Sequence, residues 1–441
     1  MPADQSTPVF AIEPLDKPFT AEIVVPGSKS MTNRALILAA LADGTTTIEN
    51  ALTSDDTDHM VAALSTLGFK VEADAAAATM TVDGHRGNIP SVGADLFVGA
   101  SGTCARFLTA LVALGHGGYR LDGVPRMRER PITPLLDALN QFGAQATATL
   151  GTGCLPVSVH ATGLRGGTAT MNASVSSQFI SALLMIAPYA TDAVEIRLEG
   201  TIVSRPYIDM TLQQMARQGV TAGWRDERTL FVDAGGWYRA GHQVMESDAS
   251  NASYFFAAAA ATGGRVRVPR LPADSIQGDL ALLGVLEAMG CTVTRTGDTV
   301  EVRGPRVLRG LTIDANAFPD VAQTIAALAP FADGPTEVRN VASMRVKETD
   351  RIEAVVTELR RLGQEVTAGP DWFRVEPRPI QPAVVHTYDD HRMAMAFSVV
   401  GLRAPGVRIA DPGCVAKTFP TYWDVLSAAG VSIRPLDPVP V

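Results

Sequence analysis

Six times along this chain of 441 residues the same order of elements is written, at intervals of about seventy residues. A polar or basic cluster opens an Ala-rich apolar segment. A second helical pattern follows, closes on Gly and gives way to a short β-like run. The openers are Ser28-Lys29-Ser30, Ser101-Gly102-Thr103, Ser176-Ser177-Gln178, Asp248-Ala249-Ser250, Pro319-Asp320 and Asp389-Asp390-His391-Arg392. The closing glycines are Gly68, Gly143, Gly219, Gly290, Gly363 and Gly430. One such unit cannot bury its own apolar face, so units must stack on one another, and the repeat decides architecture before any local motif does. Each opener is expected at a helix N-terminus, where backbone N–H groups and the helix dipole attract anions.

Residues 30–42 (SMTNRALILAALA) are apolar almost all round, which predicts a buried helix rather than an amphipathic one. Residues 55–67 follow with Met60, Ala63, Leu64 and Leu67 at helical spacing, and Gly68 ends them as a left-handed cap would. Phe69-Lys70-Val71 and Met80-Thr81-Val82 then alternate like strands of a half-exposed sheet. The fourth repeat has the same order, with residues 250–261 as the buried helix, 277–289 as the second, and strands at Cys291-Thr292-Val293 and Val300-Glu301-Val302. A chain of this length calls for two domains, hence three units in each. Each domain would hold buried parallel helices surrounded by sheets.

Composition narrows the function classes. A net charge of −9 argues against a general nucleic-acid surface, so anionic substrates would need a local basic pocket in an acidic shell. No apolar run approaches the roughly eighteen residues of a membrane span, and Met1-Pro2-Ala3-Asp4-Gln5 carries no secretory pattern. Cys104, Cys154, Cys291 and Cys414 are scattered without a CxxC pair, which argues against a zinc site or disulfide framework and suits a reducing cytoplasm. Among 37 basic residues only Lys17, Lys29, Lys70, Lys347 and Lys417 are lysine, and three of these five fall within the densest polar motifs. An ammonium can give up a proton where Arg cannot.

Several clusters can carry chemistry. In Pro26-Gly27-Ser28-Lys29-Ser30-Met31-Thr32-Asn33-Arg34, a helix cap and two cations surround one first turn, but no upstream Gly makes it a nucleotide-binding loop. Ser101-Gly102-Thr103-Cys104-Ala105-Arg106 repeats the logic, and Arg126, Arg128 and Arg130 could clamp a carboxylate or phosphate or simply face solvent. Ser176, Ser177 and Gln178 suit a phosphate or polyol, and Ser204-Arg205-Pro206-Tyr207 opens the next helix. Arg345-Val346-Lys347-Glu348-Thr349-Asp350-Arg351 puts five charges in seven residues, the pattern of a solvated face unless Asp320 and Arg392 share its surroundings. Lys29, Asp320, Lys347 and Glu348 are the acid–base candidates if the helix heads converge.

These residues resemble the family of 5-enolpyruvylshikimate-3-phosphate synthase, the 3-phosphoshikimate 1-carboxyvinyltransferase of aromatic amino-acid biosynthesis. The motifs PGSKSMTNRA, SGTCAR, RMRERPI, VSSQF, VSRPYID, DASNASYF, RVKETDRI, DDHRMAM and AKTFP stand in its order along nearly the whole chain. The resemblance implies an α/β fold of two similar domains, each of three βαβαββ repeats with helices inside sheets, an inside-out α/β barrel. It places one domain at 1–27 and 247–441, the other at 28–246, and the active site in the cleft between them, which closes on substrate. The implied reaction moves the enolpyruvyl group of phosphoenolpyruvate to the 5-hydroxyl of shikimate 3-phosphate through a tetrahedral intermediate, with loss of phosphate and no metal or organic cofactor.

Carried over by motif, Lys29, Ser30, Arg34, Ser176, Ser177, Gln178, Ser204, Tyr207, Asp320, Ser343 and Lys347 would hold shikimate 3-phosphate. Lys29, Gly102, Arg130, Gln178, Arg351, Arg392 and Lys417 would meet phosphoenolpyruvate. Asp320 is the implied base, Glu348 the implied proton donor, and Lys29 or Lys417 would assist phosphate departure; sequence leaves open which carboxylate moves which proton. Ala100 and Ser343 stand where the family often has Asn, and Phe107 where it often has Pro. Gly102 is the small residue of members sensitive to glyphosate. The implied protein is a cytoplasmic monomer with no nucleic-acid or membrane partner. The nearest alternative is the sister enzyme acting on UDP-N-acetylglucosamine, which typically carries a loop cysteine that the stretch around Arg126–Arg130 lacks.

Overall fold

In the computed structural model, which describes residues 6–440, the six-fold repeat becomes twelve α-helices and six four-stranded sheets among the described residues. The reading of Met1–Gln5 lies outside these residues. By contact density the chain divides into two units, Gly27–Glu246 and Met1–Pro26 with Ser247–Val441.

The unit Gly27–Glu246 holds α1 (Lys29–Leu41), α2 (Asp55–Thr66), α3 (Gly102–Val112), α4 (Thr133–Gln141), α5 (Ser177–Ile186) and α6 (Arg205–Arg217). The other unit holds α7 (Ala249–Thr262), α8 (Ala281–Ala288), α9 (Ala322–Leu328), α10 (Arg351–Arg361), α11 (His391–Gly401) and α12 (Tyr422–Ala428). The odd-numbered helices are the Ala-rich segments, and they are buried nearly all round. Every residue of α3, α9 and α11 is buried, as is every one from Met31 to Leu41 in α1. Each Leu or Ile so enclosed contributes about 2–3 kcal/mol of transfer free energy, and the interspersed alanines keep neighbouring helices close. The even-numbered helices bury one stripe only, as Met60, Ala63 and Leu64 do in α2 and Leu282, Leu283 and Leu286 do in α8.

All six glycines after the even-numbered helices adopt positive φ, between +82° and +104°. In each case the Gly N–H donates three residues back, and the next N–H donates five back, as in Gly68 to Ser65 and Phe69 to Leu64. This Schellman closure satisfies the last helical carbonyls and turns the chain into the next strand.

All six sheets share one plan: a parallel pair, then two antiparallel partners. The strands after α2 run Val71–Asp74 and Thr79–His85, and those after α8 run Thr292–Thr296 and Thr299–Arg303, starting one or two residues later on the first strand than the alternation suggested. Three sheets are completed from far along the chain. His242–Val244 pairs parallel with Asp43–Glu49 (Gln243 opposite Ile48), and Thr20–Glu22 pairs parallel with Arg265–Val268. Ser6–Ile12 lies between Val407–Ala410 and Ile433–Pro440. No helix among the described residues is long and apolar enough to cross a membrane.

Candidate active site

In the unit Gly27–Glu246 the heads of α1, α2, α3, α5 and α6 are bonded to one another. Lys29, the first residue of α1, donates from Nζ to Asp56 Oδ2 at 3.0 Å in the first turn of α2. Cys104 in α3 donates its thiol to the Asp56 carbonyl at 3.1 Å. Gln178 in α5 donates from Nε2 to Thr103 Oγ1 at 3.2 Å. Its own backbone N–H is held by the Ser176 hydroxyl at 3.2 Å, and Ser177 beside it is buried. None of α1, α3 and α5 carries an acidic residue in its own first turn, so the positive ends of their dipoles are not offset from within the helix.

Arg34 and Arg130 divide the work of positive charge. Arg34 is 2% exposed, and its guanidinium donates to Thr211 Oγ1 (2.7 Å), the Ser30 carbonyl (2.8 Å), Ser181 Oγ (3.1 Å) and the Tyr207 carbonyl (3.1 Å). Burial pulls its pKa down to about 10, against the pull of Tyr207. It therefore fixes Ser30 and Tyr207 in place, and the ring of Phe107 stands 5.3 Å from its Cζ. Ser204, the N-cap of α6, is held in the left-handed region at φ +53°, a conformation costing about 1 kcal/mol or more for a non-glycine residue.

Of the three arginines in the run 126–130, Arg126 pairs with Glu129 at 2.7 Å and Arg128 pairs with Asp122 at 2.8 Å. Only Arg130 turns inward, 5% exposed, so the three do not act as one clamp. A Cβ on Gly102 would lie 2.6 Å from Arg130 Nη2 and 3.0 Å from Arg106 Nη1. Glycine leaves room there for two guanidiniums to approach the helix backbone.

The second set lies in the other unit. Asp320 stands in a 3₁₀ turn, Pro319–Val321, at the head of α9. Its carboxylate meets Arg392 Nη2 at 3.0 Å, Arg351 Nη1 at 3.2 Å and Lys347 Nζ at 3.4 Å. Burial opposes its ionisation, but Arg392, Lys347 and Arg351 outweigh burial and hold the carboxyl far below the usual range. Glu348 meets Arg351 Nη2 at 2.8 Å and Lys417 Nζ at 3.9 Å. Arg351 is 1% exposed and also donates to Asp390 at 2.6 and 3.2 Å. Burial works against its charge, yet Asp390, Glu348 and Asp320 raise its pKa further. Ser343 is buried in the turn Ala342–Val346, four residues before Lys347.

Sequence reasoning undervalued four residues. Asp56 holds Lys29, and Asp390 caps α11 while pairing with Arg351. The fourth repeat, whose opener has the plainest capping pattern, supplies Ser250, which accepts from Arg392 at 3.4 Å and donates to Asp279. Burial and the facing charge of Asp320 push the Asp279 carboxyl up to about 6, against Arg392 and the Ser250 hydroxyl. The signal available was the opener itself: a hydroxyl at the second helical position, where the dipole and a cation meet.

Each set has a distinct capability. The first offers three helix N-termini with Lys29 and Arg130, the equipment for binding phosphate and carboxylate oxygens. The second sets an ionised Asp320 beside Lys347, and Glu348 beside Lys417, pairing carboxyl groups with ammonium groups of the kind that exchange protons. No group of three or more His, Cys, Asp or Glu among the described residues is arranged to hold a metal ion.

Comparison with known proteins accords with this equipment. The family model "EPSP synthase (3-phosphoshikimate 1-carboxyvinyltransferase)" matches residues 15–426. The 3-phosphoshikimate 1-carboxyvinyltransferase of Nostoc punctiforme is 52% identical over 412 residues, covering 93% of this chain and 97% of that one. The chloroplastic enzyme of that name from Arabidopsis thaliana is 47% identical, covering 92% and 81%. A solved EPSP synthase from Acinetobacter baumannii superposes with a TM-score of 0.82 at 25% identity, covering 98% of this chain and all of that one. With its repeats, its helix-head residues and a match running through both units, the chain belongs to the EPSP synthase family.

Proposed function

We propose that this protein transfers the enolpyruvyl group of phosphoenolpyruvate to the 5-hydroxyl of shikimate 3-phosphate, releasing phosphate, in aromatic amino-acid biosynthesis. The observation that carries the reading is the family match through both units, with Lys29, Arg351 and Arg392 in the first turns of α1, α10 and α11. In this reading Lys29, Ser30, Ser176, Ser177, Gln178, Ser204 and Tyr207 receive shikimate 3-phosphate, with Arg34 fixing Ser30 and Tyr207 from behind. Ser343 supports its phosphate ester, and Asp320 and Lys347 take its hydroxyls. Lys29, Gly102, Arg130, Gln178, Arg351, Arg392 and Lys417 serve phosphoenolpyruvate, Arg351 chiefly by holding Asp320, Glu348 and Asp390. The two units are the working domains, and turnover needs residues of both.

The chemistry is an addition followed by an elimination. The 5-hydroxyl oxygen bonds to C2 of phosphoenolpyruvate as its proton passes to Asp320 and a proton reaches C3, giving a tetrahedral carbon with a methyl group. C3 then loses a proton, the C2–O bond to phosphate breaks, and the vinyl group re-forms. Glu348, 3.9 Å from Lys417 Nζ, serves C3 in both directions in this reading, and Lys29 or Lys417 neutralises the departing phosphate. Asp320 is a weak base while Arg392, Lys347 and Arg351 all face it. Anionic substrates that draw these cations to themselves raise its basicity at the moment it is needed. The protein acts as a cytoplasmic monomer on small molecules alone.

The assay is phosphate release with each substrate singly and with both together. Release only with the pair supports the reading. No release with the pair, but turnover with UDP-N-acetylglucosamine and phosphoenolpyruvate, assigns the protein to the sister activity.

A further inference from the structure

Away from these residues, the unit Gly27–Glu246 contains a cavity of about 480 Å³ between the C-terminal half of α6 and the segment Arg239–Met245. The volume is that of a small-molecule site. Its lining is unusually polar for a cavity made by a helix and a strand. Gln214 (3% exposed) donates from Nε2 to the Met31 carbonyl at 3.2 Å, but its Oε1 has no partner. Gln218 (4% exposed) has a partner for neither its amide oxygen nor its amide nitrogen, and Gln243 leaves Nε2 unpaired. A buried polar atom without a partner costs about 1–3 kcal/mol, and Gln214, Gln218 and Gln243 together leave four such atoms at one cavity.

The charged lining has one sign. Arg217 and Arg239 are exposed at its edge, and neither takes part in an ion pair among the described residues. His242 also lines it, 3.1 Å from Glu49. Arg217 is accounted for by the negative end of α6, which carries roughly half a charge. Arg239 is not on a helix. Its backbone N–H donates to the Gln218 carbonyl at 2.9 Å, and its side chain is seated against Gly219, where a Cβ would lie 3.0 Å from Nε. Two guanidiniums exceed the half-charge of the helix end, so the cavity favours an anion. The glutamines supply both an acceptor (Gln214 Oε1) and donors (Gln218 Nε2, Gln243 Nε2), which suit hydroxyl groups.

We propose that this cavity is a second binding site, for a small anion bearing hydroxyl groups, with Arg217 and Arg239 on the acid group and Gln214, Gln218 and Gln243 on the hydroxyls. The acid group can be a phosphate ester or a carboxylate. The site shares no residue with the proposed active site, and the inference does not rest on the assigned reaction.

Titration calorimetry on the intact protein tests it with glucose 6-phosphate, citrate and, as the neutral control, glucose. We expect one of the two anions to bind with a dissociation constant below about 1 mM, and glucose not to bind. Arg239→Gln and Gln218→Leu should each weaken binding about tenfold, the loss of one charged or buried hydrogen bond, while Lys29→Met leaves it unchanged. The melting temperature of Gln218→Leu should equal or exceed that of the wild type, since the substitution removes an unpaired buried amide; a purely structural glutamine would instead lower it. Binding unchanged in both cavity variants, binding lost in Lys29→Met, or no binding of either anion at about 10 mM overturns the proposal.

Discussion

Gly102→Ala separates binding geometry from stability with one methyl group. Gly102 lies within α3 and is absent from the residues with positive φ, so Ala fits its backbone and should favour the helix by up to about 1 kcal/mol. The added Cβ, however, would sit 2.6 Å from Arg130 Nη2 and 2.9 Å from Arg130 Cζ. Ordinary contact begins near 3.4 Å, so the guanidinium must move by about 0.8 Å. A displacement of that size breaks the geometry of a charge-assisted pair worth about 1.5–3 kcal/mol, equivalent to a tenfold to hundredfold loss of affinity. Steady-state kinetics with phosphoenolpyruvate varied and shikimate 3-phosphate saturating should show KM for phosphoenolpyruvate raised by that factor, with the melting temperature unchanged or higher. An unchanged KM would refute the role given to Arg130. A lowered melting temperature would refute the claim that the Arg130 and Arg106 side chains yield to the methyl group without cost to the fold.

Asp320→Ala should lose turnover by several orders of magnitude while stability changes far less, checked by kcat alongside urea denaturation; equal collapse of both would reduce Asp320 to a helix cap worth about 1 kcal/mol. Asp279 has a folded pKa raised to about 6, so the folded state keeps a proton that the unfolded chain has lost above about pH 4. Stability relative to Asp279→Asn should therefore fall as pH rises from about 4 to 6, by about 2–3 kcal/mol, and run parallel to the variant elsewhere; parallel curves throughout would show that the carboxyl titrates normally. Gly430→Ala meets no atom within 4 Å and should cost only the left-handed backbone, about 1–2 kcal/mol. Gly68→Ala also drives its Cβ to 2.9 Å from Pro90 and should cost more, as denaturation midpoints of the two variants will tell.

The repeat was readable because each of its parts has a local cause. An all-round apolar segment has to be buried, and a glycine after a helical stripe has to turn left-handed, so α1, α7 and the six closures follow from local pattern. Pairing between distant strands was not readable. Nothing in residues 242–244 says that they complete the sheet of residues 43–49, because parallel register is set by the whole unit. The same limit applies to the site. Lys29, Asp320 and Arg392 stand out because charges at the head of an apolar helix need a reason. Asp56 sits in an acidic first turn beside Asp55 and Asp58, where helix capping already explains it. Its bond to Lys29 exists only once α1 and α2 are packed. Arg34 and Arg351 show the converse: motif position singles them out, but only packing brings their guanidiniums against Thr211, Tyr207, Asp320 and Asp390.

The most direct test of the proposed reaction and its route is turnover in deuterated water, with the product analysed by mass spectrometry. If the 5-hydroxyl adds to phosphoenolpyruvate and C3 passes through a methyl group, the product carries the enolpyruvyl mass and much of it holds deuterium in the vinyl group. Absence of that product contradicts the assigned function, and a product free of vinyl deuterium contradicts the addition–elimination that Asp320, Glu348 and Lys417 are proposed to perform.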